Sequence, residues 1–94
     1  MALLDLLGRR WALRILWELR REPQNFRELR ERCDSMSPSV LNQRLAELRD
    51  AGIVELGDDG YRLTCDGDDL LDALTPMNDW AKRWGRRTAH RMAK

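Results

Sequence analysis

The side chains best placed to do chemistry in this chain are amides and hydroxyls rather than acids, bases or nucleophiles. Ser37, Ser39, Asn42 and Gln43 lie close together in a segment opened by Ser37-Pro38. At 100° per residue, a helix there puts Ser39, Gln43 and Ala46 opposite Val40, Leu41 and Leu48, with Asn42 and Arg49 flanking. Amide side chains can pair with adenine, serine with either base, and alanine can touch a thymine methyl, so the row suits recognition of base edges. Reaction chemistry has little to work with. The sole histidine, His90, sits in the tail, and there is neither a glycine-rich phosphate loop nor an evident carboxylate pair. An enzyme is set aside on that ground. Cys33 and Cys65 are far apart and match no zinc spacing, so no metal and no cofactor are expected.

The elements that must hold that row can be read from period and punctuation. Ala2 to Leu7 reads as a short apolar helix ending at Gly8, and a longer helix is expected from about Arg9 to Glu22, stopping before Pro23. Trp11, Ala12, Ile15, Leu16 and Leu19 share one stripe of it, and Leu13 with Trp17 form a second on the far side. Asn25 with Glu28 reads as a capping box opening a helix with Phe26, Leu29 and Cys33 on one face. Ser37-Pro38 starts the next helix, serine capping its free amides and proline taking the first position. That helix points Val40, Leu41, Leu45 and Leu48 inward and ends near Ala51-Gly52. Ile53 to Leu56 and Tyr61 to Thr64 are strand candidates around Gly57-Asp58-Asp59-Gly60. Leu70, Leu74, Met77, Ala81 and Trp84 then recur at helical spacing, with Thr75-Pro76 a point of kinking or restart. Residues 1–85 are expected to form one domain, and residues 86–94 a basic, loose tail.

Bulk properties bound the answer. Ninety-four residues with 43% hydrophobic and 35% charged content should fold as a single domain, leaving apolar surface that a homodimer would hide. No apolar run can span a bilayer and the start lacks the basic region of a signal peptide, so a cytoplasmic location without membrane contact is expected. Net charge is only +1, but the basic residues gather between Arg9 and Arg49 and after Asp79, while Glu55 to Asp79 is mostly acidic. Such a sided distribution can still meet phosphate.

Helix, helix, turn, helix, hairpin, helix is the plan of a mainly α winged helix-turn-helix with a two-stranded β-wing. The residues resemble a known family. Gly8-Arg-Arg-Trp11 leading to Ile15-Leu16, Asn25-Phe26 with Glu28-Leu29, Ser37-Pro38 with Leu41 and Arg44-Leu45, Leu48 with Gly52-Ile53-Val54, and Tyr61 with Leu63-Thr64 and Gly67 look like the HxlR-type regulators, relatives of the MarR group. Trp80 falls where that family carries a tryptophan in its C-terminal helix. The resemblance implies a homodimer on double-stranded DNA, paired through terminal helices. Ser37, Pro38, Ser39, Asn42, Gln43, Arg44, Arg62 and Arg27 are then the expected DNA contacts, and Leu3, Leu4, Leu7, Trp17, Leu74, Met77, Trp80 and Trp84 the expected dimer interface.

Several positions carry two readings. Arg44 lies at the edge of the core stripe and serves either a structural ion pair or DNA. Arg62 points off the wing to solvent or phosphate, and Arg27 and Arg30 are either backbone contacts or a solvated face. Cys33 reads as core, and Cys65 as the better thiol. The chain departs from the family in three ways: it has no cysteine before Cys33, where redox sensors of the family carry one; its wing is short with an acidic tip, Asp58-Asp59; and Asn25 stands where arginine is usual. The acidic tip and near-neutral charge leave a protein-interaction module as the alternative function.

Overall fold

Gly8 and the three residues after it turn the chain between two helices, α1 (Ala2–Leu7) and α2 (Ala12–Glu18). The computed structural model describes the backbone of residues 2–92 and side chains as far as residue 89. Trp11 enters α2 in the left-handed region at φ 77°, a conformation that costs a non-glycine residue roughly 1–2 kcal/mol. Packing offsets the cost: Trp11 lies against the core, and the Arg10 guanidinium stands 5.6 Å from its ring centroid. α2 is therefore shorter than the expected Arg9 to Glu22. Trp11 breaks it in front, and the residues after Glu18 leave the helix well before Pro23.

α3 (Phe26–Arg32) opens on the expected capping box, with Asn25 Oδ1 accepting from the Glu28 amide at 2.8 Å and Glu28 Oε1 accepting from the Asn25 amide at 3.0 Å. Asp34 and Ser35, at φ 60° and 54°, make the turn into α4 (Pro38–Asp50). Both are small polar residues, which tolerate left-handed backbone better than bulky ones. Proline takes the first turn of α4 as expected, but Ser37 makes no capping bond. Its hydroxyl pairs with Ser39 Oγ at 3.0 Å instead.

Leu41, Leu45 and Leu48 recur at i, i+4 and i+7 and plant α4 in a core with Ile15, Leu16, Leu19, Leu29, Cys33, Met36, Ile53 and Val54. Val40, expected inward, lies part-buried at the margin of that core. Cys33 is fully enclosed, and burial pushes its thiol up to about 11, with the nearby Arg14 guanidinium only partly opposing the shift. Cys65 is exposed. Iodoacetamide at pH 8 should therefore label Cys65 alone in the native protein, with Cys33 reacting only after denaturation; mass spectrometry of the peptides checks this. Equal labelling of both in the native state would mean the core is open.

The wing is a hairpin of β1 (Val54–Gly57) and β2 (Gly60–Leu63), antiparallel with Val54 opposite Leu63 and Glu55 opposite Arg62. Each strand begins and ends within a residue of its expected place, and the turn is Asp58-Asp59. Gln24 adds a bridge the sequence did not announce. Its backbone exchanges hydrogen bonds of 2.8 and 2.9 Å with Tyr61, beside Gly60 at φ 116°. A Cβ on Gly60 would lie 2.5 Å from the Gln24 carbonyl oxygen, so only glycine fits where the backbones meet.

Thr64 ties the hairpin to α5 (Cys65–Met92): its hydroxyl donates to the Gly52 carbonyl at 2.6 Å and accepts from the Gly67 amide at 3.0 Å. α5 passes Pro76 without restarting and passes Gly85 without ending, so residues 86–92 are helical rather than a loose tail. Strong helix formers on both sides of Gly85, among them Ala81, Lys82, Arg86 and Arg87, outweigh its roughly 1 kcal/mol cost. Residues 93 and 94 lie outside the described residues. The radius of gyration, 14.7 Å, exceeds the roughly 12 Å of a compact chain this long, because α5 projects past the core along a 50 Å axis. No described helix is long and apolar enough to cross a membrane.

Candidate nucleic-acid interface

α4 presents two unlike faces because its sequence is patterned at helical period. One carries the buried leucines, and the other carries Ser39, Asn42, Gln43, Ala46 and Arg49, all exposed. Ser37 and Pro38 stand exposed at its N-terminal end. The five uncharged residues expected to contact DNA are thus gathered on the first turns of one helix, anchored from beneath.

The arginines divide. Arg44 is nearly covered and committed within the protein: Nη1 donates to Glu47 Oε1 at 2.6 Å and Nε to the Arg10 carbonyl at 3.0 Å. Of its two readings the geometry favours the ion pair. Arg30 likewise donates to the Met36 carbonyl at 2.7 Å, bracing the turn between α3 and α4. Arg27 is the most open, with 89% of its side chain exposed and only a 3.4 Å contact to Glu31. Arg62 is exposed but leans along the wing, its Nε donating to Glu55 at 2.9 Å. With Asp58 and Asp59 exposed at the tip, the wing offers phosphate little net attraction.

The residues expected at a dimer interface fall on two surfaces. Leu3 and Leu4 are exposed on α1, whereas Leu7 turns toward the core. Leu13, Trp17, Leu71, Leu74, Met77 and Ala81 line an apolar groove of about 350 Å³ between α2 and α5. Beyond it Trp80 and Trp84, each about half exposed, stack with ring centroids 6.2 Å apart. Contiguous exposed apolar surface of this kind marks an interaction site.

Sequence reasoning missed two sets. Gln24 is buried, its amide nitrogen donating to the Glu18 carbonyl, and nothing in its neighbours along the chain foretells that. The cluster of Arg9, Arg10, Arg44 and Glu47 joins residues some forty positions apart. Only its Arg44–Glu47 pair, at i and i+3, left a local signal.

The arrangement of α3, turn, α4 and wing agrees with a family model: the HxlR-like helix-turn-helix model matches residues 6–89. The chain belongs to the HxlR-like family. It is a transcriptional regulator of the helix-turn-helix class. This HxlR-like chain is 31% identical over 87 residues to an uncharacterized HTH-type transcriptional regulator, YvaP, of Bacillus subtilis, covering 85% of this chain and 81% of that one. Among solved structures it resembles quinone-bound YodB from B. subtilis at a TM-score of 0.81 and 34% identity, covering 87% of this chain and 93% of YodB. A possible HxlR family transcriptional factor from Thermoplasma volcanium matches at a TM-score of 0.79 and 28% identity, over 92% and 84% of the two chains. The HxlR-like chain thus shares the winged-helix fold of these regulators.

Proposed function

We propose that this chain binds double-stranded DNA sequence-specifically, as a cytoplasmic homodimer on a pseudo-palindromic operator. The observation that carries the reading is the uncovered face of α4, where Ser39, Asn42, Gln43 and Ala46 stand free while Leu41, Leu45 and Leu48 hold the helix in place. Such a face fits the major groove, with Asn42 and Gln43 reading base edges and Ser37, Ser39 and Arg27 meeting phosphate. Arg44 acts from behind, as a brace. Two copies joined through α1, the α2–α5 groove and the Trp80–Trp84 stack would present two α4 helices to successive grooves about 34 Å apart.

Capture of genomic fragments by the purified chain, followed by sequencing, tests the reading. One shared, inverted-repeat sequence is expected, with affinity that falls steeply between low and physiological salt as counterions are displaced. Fragments retained at random, or no salt-sensitive retention, would overturn it. That second result would favour a protein-interaction module, for which the specific observation is the wing: Arg62 is neutralised by Glu55, and Asp58 and Asp59 lie bare at the tip. The dimer has its own test. Trp80→Glu with Met77→Glu should halve the mass found by sedimentation equilibrium while leaving the helical circular dichroism intact, since both side chains are exposed in the single chain. An unchanged mass would place the subunit contact elsewhere.

A further inference from the structure

The α4 helix is tied to the N-terminal part of the chain through one carboxylate. Glu47 sits on the flank of α4, three-quarters buried, with Arg44 Nη1 at 2.6 Å from Oε1 and Arg9 Nε at 2.9 Å from Oε2. The Arg9 contact is a charge contact without an aligned hydrogen bond, so Oε2 has no other partner in its buried position. Arg44 completes the tie from the other side by donating from Nε to the Arg10 carbonyl. That carbonyl belongs to the turn in which Trp11 is held at positive φ, with the Arg10 guanidinium beside the Trp11 ring. Strained backbone of this sort persists only where surrounding contacts over-determine it. Away from the turn, α1 is set off from α4 by an open cleft between Ala2, Leu3 and Leu6 on one side and Glu47, Asp50 and Ala51 on the other. Among the described residues, the arginine–carboxylate cluster is therefore the direct polar link between the α1–α2 turn and α4.

We propose that Glu47 is a positioning residue: through Arg9 and Arg44 it locks α4 to the α1–α2 turn, so that the seating of α1 sets the angle at which α4 presents Asn42 and Gln43. The consequence for recognition rests on the DNA-binding reading above, but the clamp itself does not. One arginine on each oxygen fixes both the rotation and the tilt of a carboxylate, which hydrophobic contacts beneath α4 do less directionally. A shift of α1 within a dimer would then reach α4 through two directional polar contacts in addition to the core packing of Leu6, Leu7 and Trp11.

The test uses the full chain and its Glu47→Gln variant, with Glu22→Gln as a charge-matched control whose partner, Arg32, is exposed at 3.5 Å. Hydrogen exchange without DNA gives the first arm. Amides of residues 2–12 and 38–47 should exchange about tenfold faster in Glu47→Gln, while the wing, residues 54–63, keeps its rates. Unchanged rates, or a uniform rise across all segments, would overturn the clamp. The second arm measures binding to a duplex enriched from a random library by the wild-type chain, against the same duplex with its bases scrambled. Discrimination should fall about tenfold in Glu47→Gln and by less in Arg44→Lys, which keeps the ion pair and loses the Nε bond. Wild-type discrimination in Glu47→Gln would overturn the link to recognition even where exchange rises. A wild-type chain that prefers no duplex would instead sink the DNA-binding reading, and the exchange arm would still decide the clamp.

Discussion

Asn42→Ala combined with Gln43→Ala should abolish preference for the enriched duplex over a scrambled one while leaving the thermal midpoint within a degree or two of wild type. Both side chains are exposed, and the three leucines that anchor α4 are on its other face, so the substitution removes groups the fold does not use. Alanine also favours helix over asparagine or glutamine by up to about half a kcal/mol, so α4 itself is not weakened. Each amide that pairs with a base edge contributes about 1–3 kcal/mol of discrimination, and losing two amounts to roughly a hundredfold or more. Fluorescence anisotropy with the two duplexes reads the ratio. Binding to the scrambled duplex should hardly change, because phosphate contacts remain. Retained preference in the double variant would remove α4 from the role given to it.

Gly67→Ala should cost the fold more than any single exposed substitution, about 3 kcal/mol or a fall of roughly 15 °C in thermal midpoint for a chain of this size. Gly67 is buried in the first turn of α5, and a Cβ there would overlap the Ile53 carbonyl oxygen while pressing on Leu63 Cβ at 3.2 Å. Ile53 leads into the wing and Leu63 ends it, and the Ile53 carbonyl is held by the Thr64 amide and hydroxyl, so neither can retreat without undoing the start of α5. Gly85→Ala is the natural contrast. Nothing lies within 4 Å of a Cβ at Gly85, and replacing a mid-helix glycine should raise stability by up to about 1 kcal/mol. Differential scanning calorimetry of the two variants should move in opposite directions; a Gly67→Ala midpoint near wild type would mean that α5 does not pack against the hairpin as described.

Much of this architecture is carried by interactions that span four residues or fewer, which is why it was legible in the chain itself. The capping box of Asn25 and Glu28, proline at the start of α4, the leucine spacing beneath it and the Asp58-Asp59 turn all act within one helical turn or one hairpin. They depend on backbone geometry and side-chain period alone, so residue type and order suffice to specify them. The amide-bearing face of α4 follows from the same period. Ser37 shows the limit even of local reading: its hydroxyl had a choice between the helix amides and Ser39, and it took the latter.

What the residue order by itself determined, then, is the succession of helices, the hairpin, the buried stripe and the polar row opposite it. Tertiary structure alone decided the left-handed Trp11, the bridge from Gln24 to Tyr61, the close approach at Gly67 and the allegiance of Arg44, which reaches a carbonyl 34 residues away. The physical reason is common to all of them. A contact between distant residues gains its free energy only after the intervening chain has closed, so each partner must already be held by the rest of the core, and no window of sequence contains both.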